Sequence, residues 1–90
     1  MGVKWHVIFH RHAVKDLELL KRAGLGAKAR MLAEILARDP YQNSPSYEKL
    51  GGELRGKYSR RINVQHRLVY EVDEENKVVR VLRMWTYYGE

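Results

Sequence analysis

The chain of 90 residues contains no cysteine, which excludes disulfide bonds, thiolate nucleophiles and zinc sites built on cysteine. Four histidines would have to carry any metal site, and the pair His10 and His12 is by itself weak evidence for one. Long apolar runs are also missing, so we expect no membrane span and no signal peptide. These absences predict a cytoplasmic protein that uses neither a metal nor a cofactor.

Positive charge is the main feature of the composition, with 17 lysines and arginines against 11 acidic residues and a net charge of +6. The surplus is concentrated between residues 49 and 67, where Glu53 is the single acidic residue. A solvated basic face is the commoner origin of such a run, but arginine outnumbers lysine in this one, which favours bidentate phosphate contacts. The candidate RNA- or phosphate-binding residues here are Lys49, Arg55, Lys57 and Arg61, together with Arg67.

Hydrophobic periodicity predicts one strand followed by two helices. Residues Val3 to Phe9 are aromatic and β-branched and form the predicted strand, with Trp5 and Val7 toward the core. Gly24 is expected to end the first helix, and Asp39-Pro40 the second. The expected apolar stripe of the first helix is Ala13, Leu17 and Leu20, with Val14 beside it, and that of the second helix is Met31, Leu32, Ile35 and Leu36.

Three further strands are predicted after the helices, at residues 58–63, 67–72 and 78–84. They form an antiparallel meander that the first strand joins in one sheet, so we expect a single α+β domain over residues 1–90. Because side chains alternate along a strand, Arg61 and Arg67 are expected to project from the sheet while Ile62, Leu68 and Tyr70 point the other way. The same alternation directs Arg60 to the face opposite Arg61.

Four motifs follow one another in the carboxy-terminal half of the chain. They are Tyr47-Glu48-Lys49-Leu50, the nine residues from Leu54 to Ile62, the six from Gln65 to Tyr70, and the seven from Leu82 to Tyr88. In this order and spacing they resemble the YoeB/Txe family of toxin–antitoxin systems, which belongs to the RelE superfamily. The resemblance implies a RelE-like fold with an amino-terminal strand, a two-helix hairpin and a three-stranded antiparallel meander.

The same resemblance implies an endoribonuclease that cuts messenger RNA in the ribosomal A site, and a cognate antitoxin that wraps and inhibits it. At matching positions it implies functional roles for Glu48, Arg61, Arg67 and Tyr88. The family has a histidine where this chain has Tyr87. Ribosome and messenger RNA are therefore the expected partners beside the antitoxin, and the oligomeric state is left open, with a homodimer among the options.

Metal-free RNA cleavage needs a base for the 2′-hydroxyl proton, cations for the phosphate, and an acid for the leaving 5′-oxygen. Glu48 is the candidate base, and Arg67 followed by Arg61 are the candidate cations. Tyrosine has an ordinary pKa near 10 and matches neutral pH less well than histidine, so Tyr87 predicts slower cleavage or a different acid. Tyr88 and His66 are the alternatives, although alternation favours a packed role for His66.

Two other functional classes remain open. One is a non-enzymatic toxin on the same fold, like the ParE-type proteins that bind gyrase. The other is a basic RNA- or ribosome-binding module that has lost cleavage, which the missing histidine favours. Glu48 could also be a surface residue paired with Lys49 or Arg55, and Arg67 could pair across strands with Glu71 or Glu53.

Overall fold

The structure is a computed structural model that describes residues 4–85, and these form two α-helices and five β-strands. The predicted site residues Tyr87 and Tyr88 lie outside the described residues. In chain order the elements are β1 (His6–Phe9), α1 (Arg11–Arg22), α2 (Gly26–Arg38), β2 (Tyr47–Lys49), β3 (Lys57–Arg61), β4 (Arg67–Asp73) and β5 (Val78–Arg83), with a short 3-10 helix (Gly52–Leu54) before β3.

The strands form one sheet in the order β1-β5-β4-β3-β2, in which β1 runs parallel to β5 and the other pairs are antiparallel. The predicted α+β class and the meander of β3, β4 and β5 are confirmed. The prediction missed β2, which adds a fourth antiparallel strand at the edge of the sheet. Three residues are too few for alternation to stand out in the sequence, so this strand is defined by its pairing with β3.

The helices begin and end close to the predicted positions. His10 precedes α1, and its Nδ1 accepts a hydrogen bond from the backbone N–H of His12 at 3.1 Å. His10 therefore caps the first helix, and His12 lies within its first turn. Gly24 follows α1 with a φ of +79°, a conformation that glycine adopts without strain, and α2 ends at Arg38 as Asp39-Pro40 predicted.

The core lies between the helices and one face of the sheet. Met31 was assigned to it wrongly, since 42% of its surface is exposed at the margin of the helical stripe. Val14, beside the stripe of α1, is 49% exposed. Asp16 is buried instead and accepts hydrogen bonds from the Arg83 side chain at 2.8 Å and the Met84 backbone at 2.9 Å. The core residues from the helices are Ala13, Leu20, Ala29, Leu32, Ile35 and Leu36, and those from β4 and β5 are Leu68, Tyr70, Val79 and Val81.

Within residues 4–85 neither helix has the length and apolar character needed to cross a membrane.

Candidate active site

Three neighbouring strands direct charged side chains to the face of the sheet that is turned away from the helices. Arg61 in β3 is the register partner of Arg67 in β4, and Ser59 in β3 is the partner of Glu48 in β2. Register partners project to the same side of a sheet, and so do residues two apart in one strand. The pairing of β2, β3 and β4 therefore brings one carboxylate and two guanidinium groups together.

Arg67 and Glu48 form a direct ion pair across the middle strand. The Arg67 Nη1 atom is 2.9 Å from the Glu48 Oε1 atom and 3.3 Å from the hydroxyl of Ser59, which lies between them. A small residue at position 59 leaves room for the arginine to reach over β3. The side chain of Arg67 is 21% exposed and that of Glu48 is 64% exposed, so the carboxylate is open to solvent while the guanidinium sits deeper.

This contact replaces the ion pairs that the sequence suggested as structural alternatives. Lys49 and Arg55 were the expected partners of Glu48, and Glu71 and Glu53 those of Arg67. Among the described residues, the carboxylate seen at Arg67 is that of Glu48. Two of the residues that the family resemblance implicates in function, Glu48 and Arg67, thus contact each other.

The ion pair lies in a surface groove that has two overlapping parts. The smaller part has a volume of about 310 Å³ and the larger about 660 Å³. We call the whole depression the outer groove. Both parts are lined by Glu48, Ser59, Arg61, Val64 and Arg67.

Lys28, Val64 and Ser59 are among the residues of the outer groove that were not identified from the sequence as site residues. Lys28, in the first turn of α2, lines the larger part, although it lies 33 positions before Arg61 in the chain. Val64, in the turn between β3 and β4, is 86% exposed at the mouth of the groove. Ser59 could have been found from its alternation with Arg61, whereas nothing local in the sequence connects Lys28 with the groove.

The other basic residues that were predicted to bind phosphate do not line the outer groove. Lys57 shares a face with Arg61 but lies at the opposite end of β3, where its Nζ atom is 3.7 Å from the Glu71 carboxylate. Lys49 is the register partner of Tyr58, on the face that Glu48 does not use. Arg55 is exposed in the turn that precedes β3. A role for these three residues in RNA binding stays a prediction.

His66 packs on the inner side of the sheet, as alternation indicated. It is 4% exposed, and its ring stacks on Trp85 with 4.0 Å between centroids. Tyr58 likewise faces inward, and its ring stacks on that of Tyr70 with 5.5 Å between centroids. In the part of the chain that the structure describes, no three histidine, aspartate or glutamate side chains come together to hold a metal ion.

Comparison with known proteins identifies the same family that the four carboxy-terminal motifs resemble. Residues 9–88 match the family model of the YoeB-like toxin of bacterial type II toxin–antitoxin systems. Over 64 residues, which are 71% of this chain and 67% of the relative, the sequence is 41% identical to toxin YoeB of Synechocystis sp..

Solved structures agree in fold. A YoeB/ParE toxin from Agrobacterium tumefaciens superposes with a TM-score of 0.82 at 27% identity, over 92% of this chain and 99% of that chain. A chain of the heterotetrameric YoeB–YefM toxin–antitoxin complex of Staphylococcus aureus superposes with a TM-score of 0.72 at 29% identity, over 93% of this chain and 98% of that chain.

Proposed function

Because this chain belongs to the YoeB-like toxin family of bacterial type II toxin–antitoxin systems, within the RelE superfamily, we propose that it is an endoribonuclease that cleaves messenger RNA on the ribosome. The observation that carries the proposal is the 2.9 Å contact between Arg67 and Glu48 in the outer groove, beside Arg61. A carboxylate and a pair of guanidinium groups supply two of the three roles that metal-free RNA cleavage needs.

In the proposed reaction Glu48 accepts the proton of the 2′-hydroxyl, and the 2′-oxygen attacks the adjacent phosphorus. The new O–P bond forms while the bond to the 5′-oxygen breaks, which leaves a 2′,3′-cyclic phosphate and a 5′-hydroxyl. Arg67 and Arg61 stabilise the negative charge that grows on the non-bridging oxygens. An incoming phosphate competes with Glu48 for the Arg67 guanidinium, so binding of RNA releases the carboxylate to act as the base.

The leaving 5′-oxygen needs a proton, and we assign its donor to Tyr87, with Tyr88 beside it. The support is the family match, which extends to residue 88 and covers the position where the family resemblance expects a histidine. A tyrosine hydroxyl is protonated at neutral pH and can donate, but its high ordinary pKa makes the transfer less favourable than from histidine. Slow cleavage is therefore part of the proposal.

The expected macromolecular partners are a cognate antitoxin, the ribosome and messenger RNA. The antitoxin is supported by the staphylococcal relative, which was solved in complex with YefM. The net charge of +6 and the basic groove support binding to RNA, because each neutralised phosphate releases counterions.

The proposal is tested by adding the purified protein to a translation extract and mapping the ends of the messenger RNA. Cleaved messenger is expected with the natural sequence and should disappear with Arg67→Ala. Arg22→Ala, which alters an exposed arginine at the end of α1 outside the groove, is the control and should cleave normally. Intact messenger with the natural sequence would overturn the proposal.

A second candidate is a ribosome- or RNA-binding module that has lost cleavage, and Tyr87 in place of histidine is the observation that favours it. It predicts salt-dependent RNA binding by the natural sequence with no product at long incubation times. A non-enzymatic inhibitor of the gyrase-binding type would instead keep its toxicity when Glu48 or Arg67 is replaced by alanine.

A further inference from the structure

Arg60 is completely buried, and its guanidinium holds the loop that joins α2 to β2. Its Nη1 atom donates to the carbonyl of Pro45 at 2.7 Å, and its Nη2 atom donates to the carbonyls of Pro40 at 2.9 Å and Gln42 at 2.7 Å. A buried cation is costly unless its protons are satisfied, and the three hydrogen bonds from the two Nη atoms to carbonyls offset part of that cost. Among the described residues the buried Nε atom has no hydrogen-bond partner. Arg60 thus fixes three separate points of one loop.

Two tyrosines complete the surroundings of this guanidinium. The Cζ atom of Arg60 lies 5.1 Å from the ring centre of Tyr47 and 5.8 Å from that of Tyr70, distances at which a cation is attracted to an aromatic face. The Tyr70 hydroxyl donates to the Pro40 carbonyl at 3.0 Å. Burial raises the pKa of Tyr70 to about 12, against the opposing effect of Arg60, so this hydroxyl keeps its proton at neutral pH.

The clamped loop leads directly into the site. Pro45 and Ser46 line the larger part of the outer groove, and Glu48 follows two residues later. Glu48 lies in β2, an edge strand of three residues that is paired on one side with β3. Short edge strands have few bonds of their own to hold them, so their order depends on the segments at their ends.

We propose that Arg60 is a positioning residue of the candidate active site, which holds the loop 40–45 and thereby keeps the Glu48 carboxylate at Arg67. The proposal rests on the proposed endoribonuclease activity and adds a residue that does not touch the RNA. Loss of the clamp should let β2 and the groove wall move. Cleavage should then slow, while RNA affinity should remain, because Arg61 and Arg67 stand on β3 and β4 and do not depend on the loop.

Arg60→Lys and Tyr70→Phe make a matched pair of variants. Lysine keeps the positive charge, but one ammonium group cannot reproduce the planar fork that reaches three carbonyls. Tyr70→Phe removes a buried hydrogen bond to the same loop, at Pro40, and leaves the three bonds from Arg60 intact. Three quantities are measured: the single-turnover cleavage rate, the RNA dissociation constant, and the hydrogen exchange of the amides at 41–49.

For Arg60→Lys we expect the cleavage rate to fall about tenfold or more, since small displacements of a catalytic group cost up to about a hundredfold. The dissociation constant should change less than about twofold, which is under about 0.4 kcal/mol, and the amides at 41–49 should exchange faster. Tyr70→Phe is compared at a temperature that equalises the folded fraction. Its cleavage rate should stay within about twofold of that of the natural sequence, a change in activation free energy of under about 0.4 kcal/mol.

The proposal is overturned if the cleavage rates of Arg60→Lys and Tyr70→Phe fall by the same factor at equal folded fraction. It is also overturned if the cleavage rate and the RNA affinity of Arg60→Lys fall together, or if hydrogen exchange of its amides at 41–49 is unchanged. Failure of Arg60→Lys to fold would also overturn it, because Arg60 would then serve the fold as a whole. If the natural sequence does not cleave RNA, the endoribonuclease proposal fails. The exchange experiment still decides in that case whether Arg60 holds the loop and β2.

Discussion

Arg60 and Arg61 are neighbours in β3, yet they serve opposite faces of the sheet. Arg60 is fully buried and binds backbone carbonyls, whereas Arg61 is exposed and lines the outer groove beside Arg67. Two adjacent arginines in one basic run therefore differ completely in what they can bind. Of the pair, only Arg61 is available to a phosphate.

Glu48→Gln tests the base. Glutamine keeps the size of the side chain but cannot accept the 2′-hydroxyl proton, so we expect the single-turnover cleavage rate to fall by about 10²- to 10⁴-fold. RNA affinity should stay equal or increase, because a negative charge is removed from the groove. Glu53→Gln, outside the groove, is the control. An unaltered rate for Glu48→Gln would assign the base to another group.

Tyr87→His tests the proton donor. An imidazole titrates near neutral pH and is a better matched acid, so the single-turnover rate at pH 7 should rise, by up to about 10²-fold. The binding of RNA at equilibrium should not change. A rate that stays the same or falls would mean that Tyr87 does not supply the proton to the 5′-oxygen.

Lys28→Ala tests whether RNA extends along the larger part of the outer groove. Removing one phosphate contact should weaken RNA binding and reduce the slope of log affinity against log salt by about 0.7, the value for a single strand. Lys21→Ala is the control, since Lys21 lines a different depression between α1 and α2. Binding titrations at several salt concentrations give both slopes. Equal slopes for Lys28→Ala and the natural sequence would place the RNA elsewhere.

Asp16→Ala tests the link between α1 and the end of β5. The change removes the buried carboxylate that accepts hydrogen bonds from the Arg83 side chain and the Met84 backbone amide, so the free energy of unfolding should fall by about 3 kcal/mol. Glu18→Ala, in the same helix, removes an exposed pair with Lys21 and should cost about 0.5 kcal/mol or less. Urea denaturation measures both. Similar losses for the two variants would contradict the structural role of Asp16.

Local patterns were sufficient for most of the fold. Alternation located β3 and β4, an apolar run located β5, and the glycine and proline signals located the ends of both helices within two residues. Met31 was assigned wrongly because helical spacing marks a stripe, while the depth of each position within it depends on what packs against it. Asp16 was missed because a polar residue on the buried side is recognised only when its partner at the end of β5 is known.

For the site, the sequence determined which face each arginine takes, because alternation follows from the covalent geometry of an extended chain. It could not determine the distance from Arg67 to Glu48, which depends on the registers of β2, β3 and β4 over 19 residues of chain. The fold likewise brought Lys28 to the groove and left Lys49, Arg55 and Lys57 outside it. Strand pairing and helix packing join residues that are distant in the chain, so only the tertiary structure decides which charges meet.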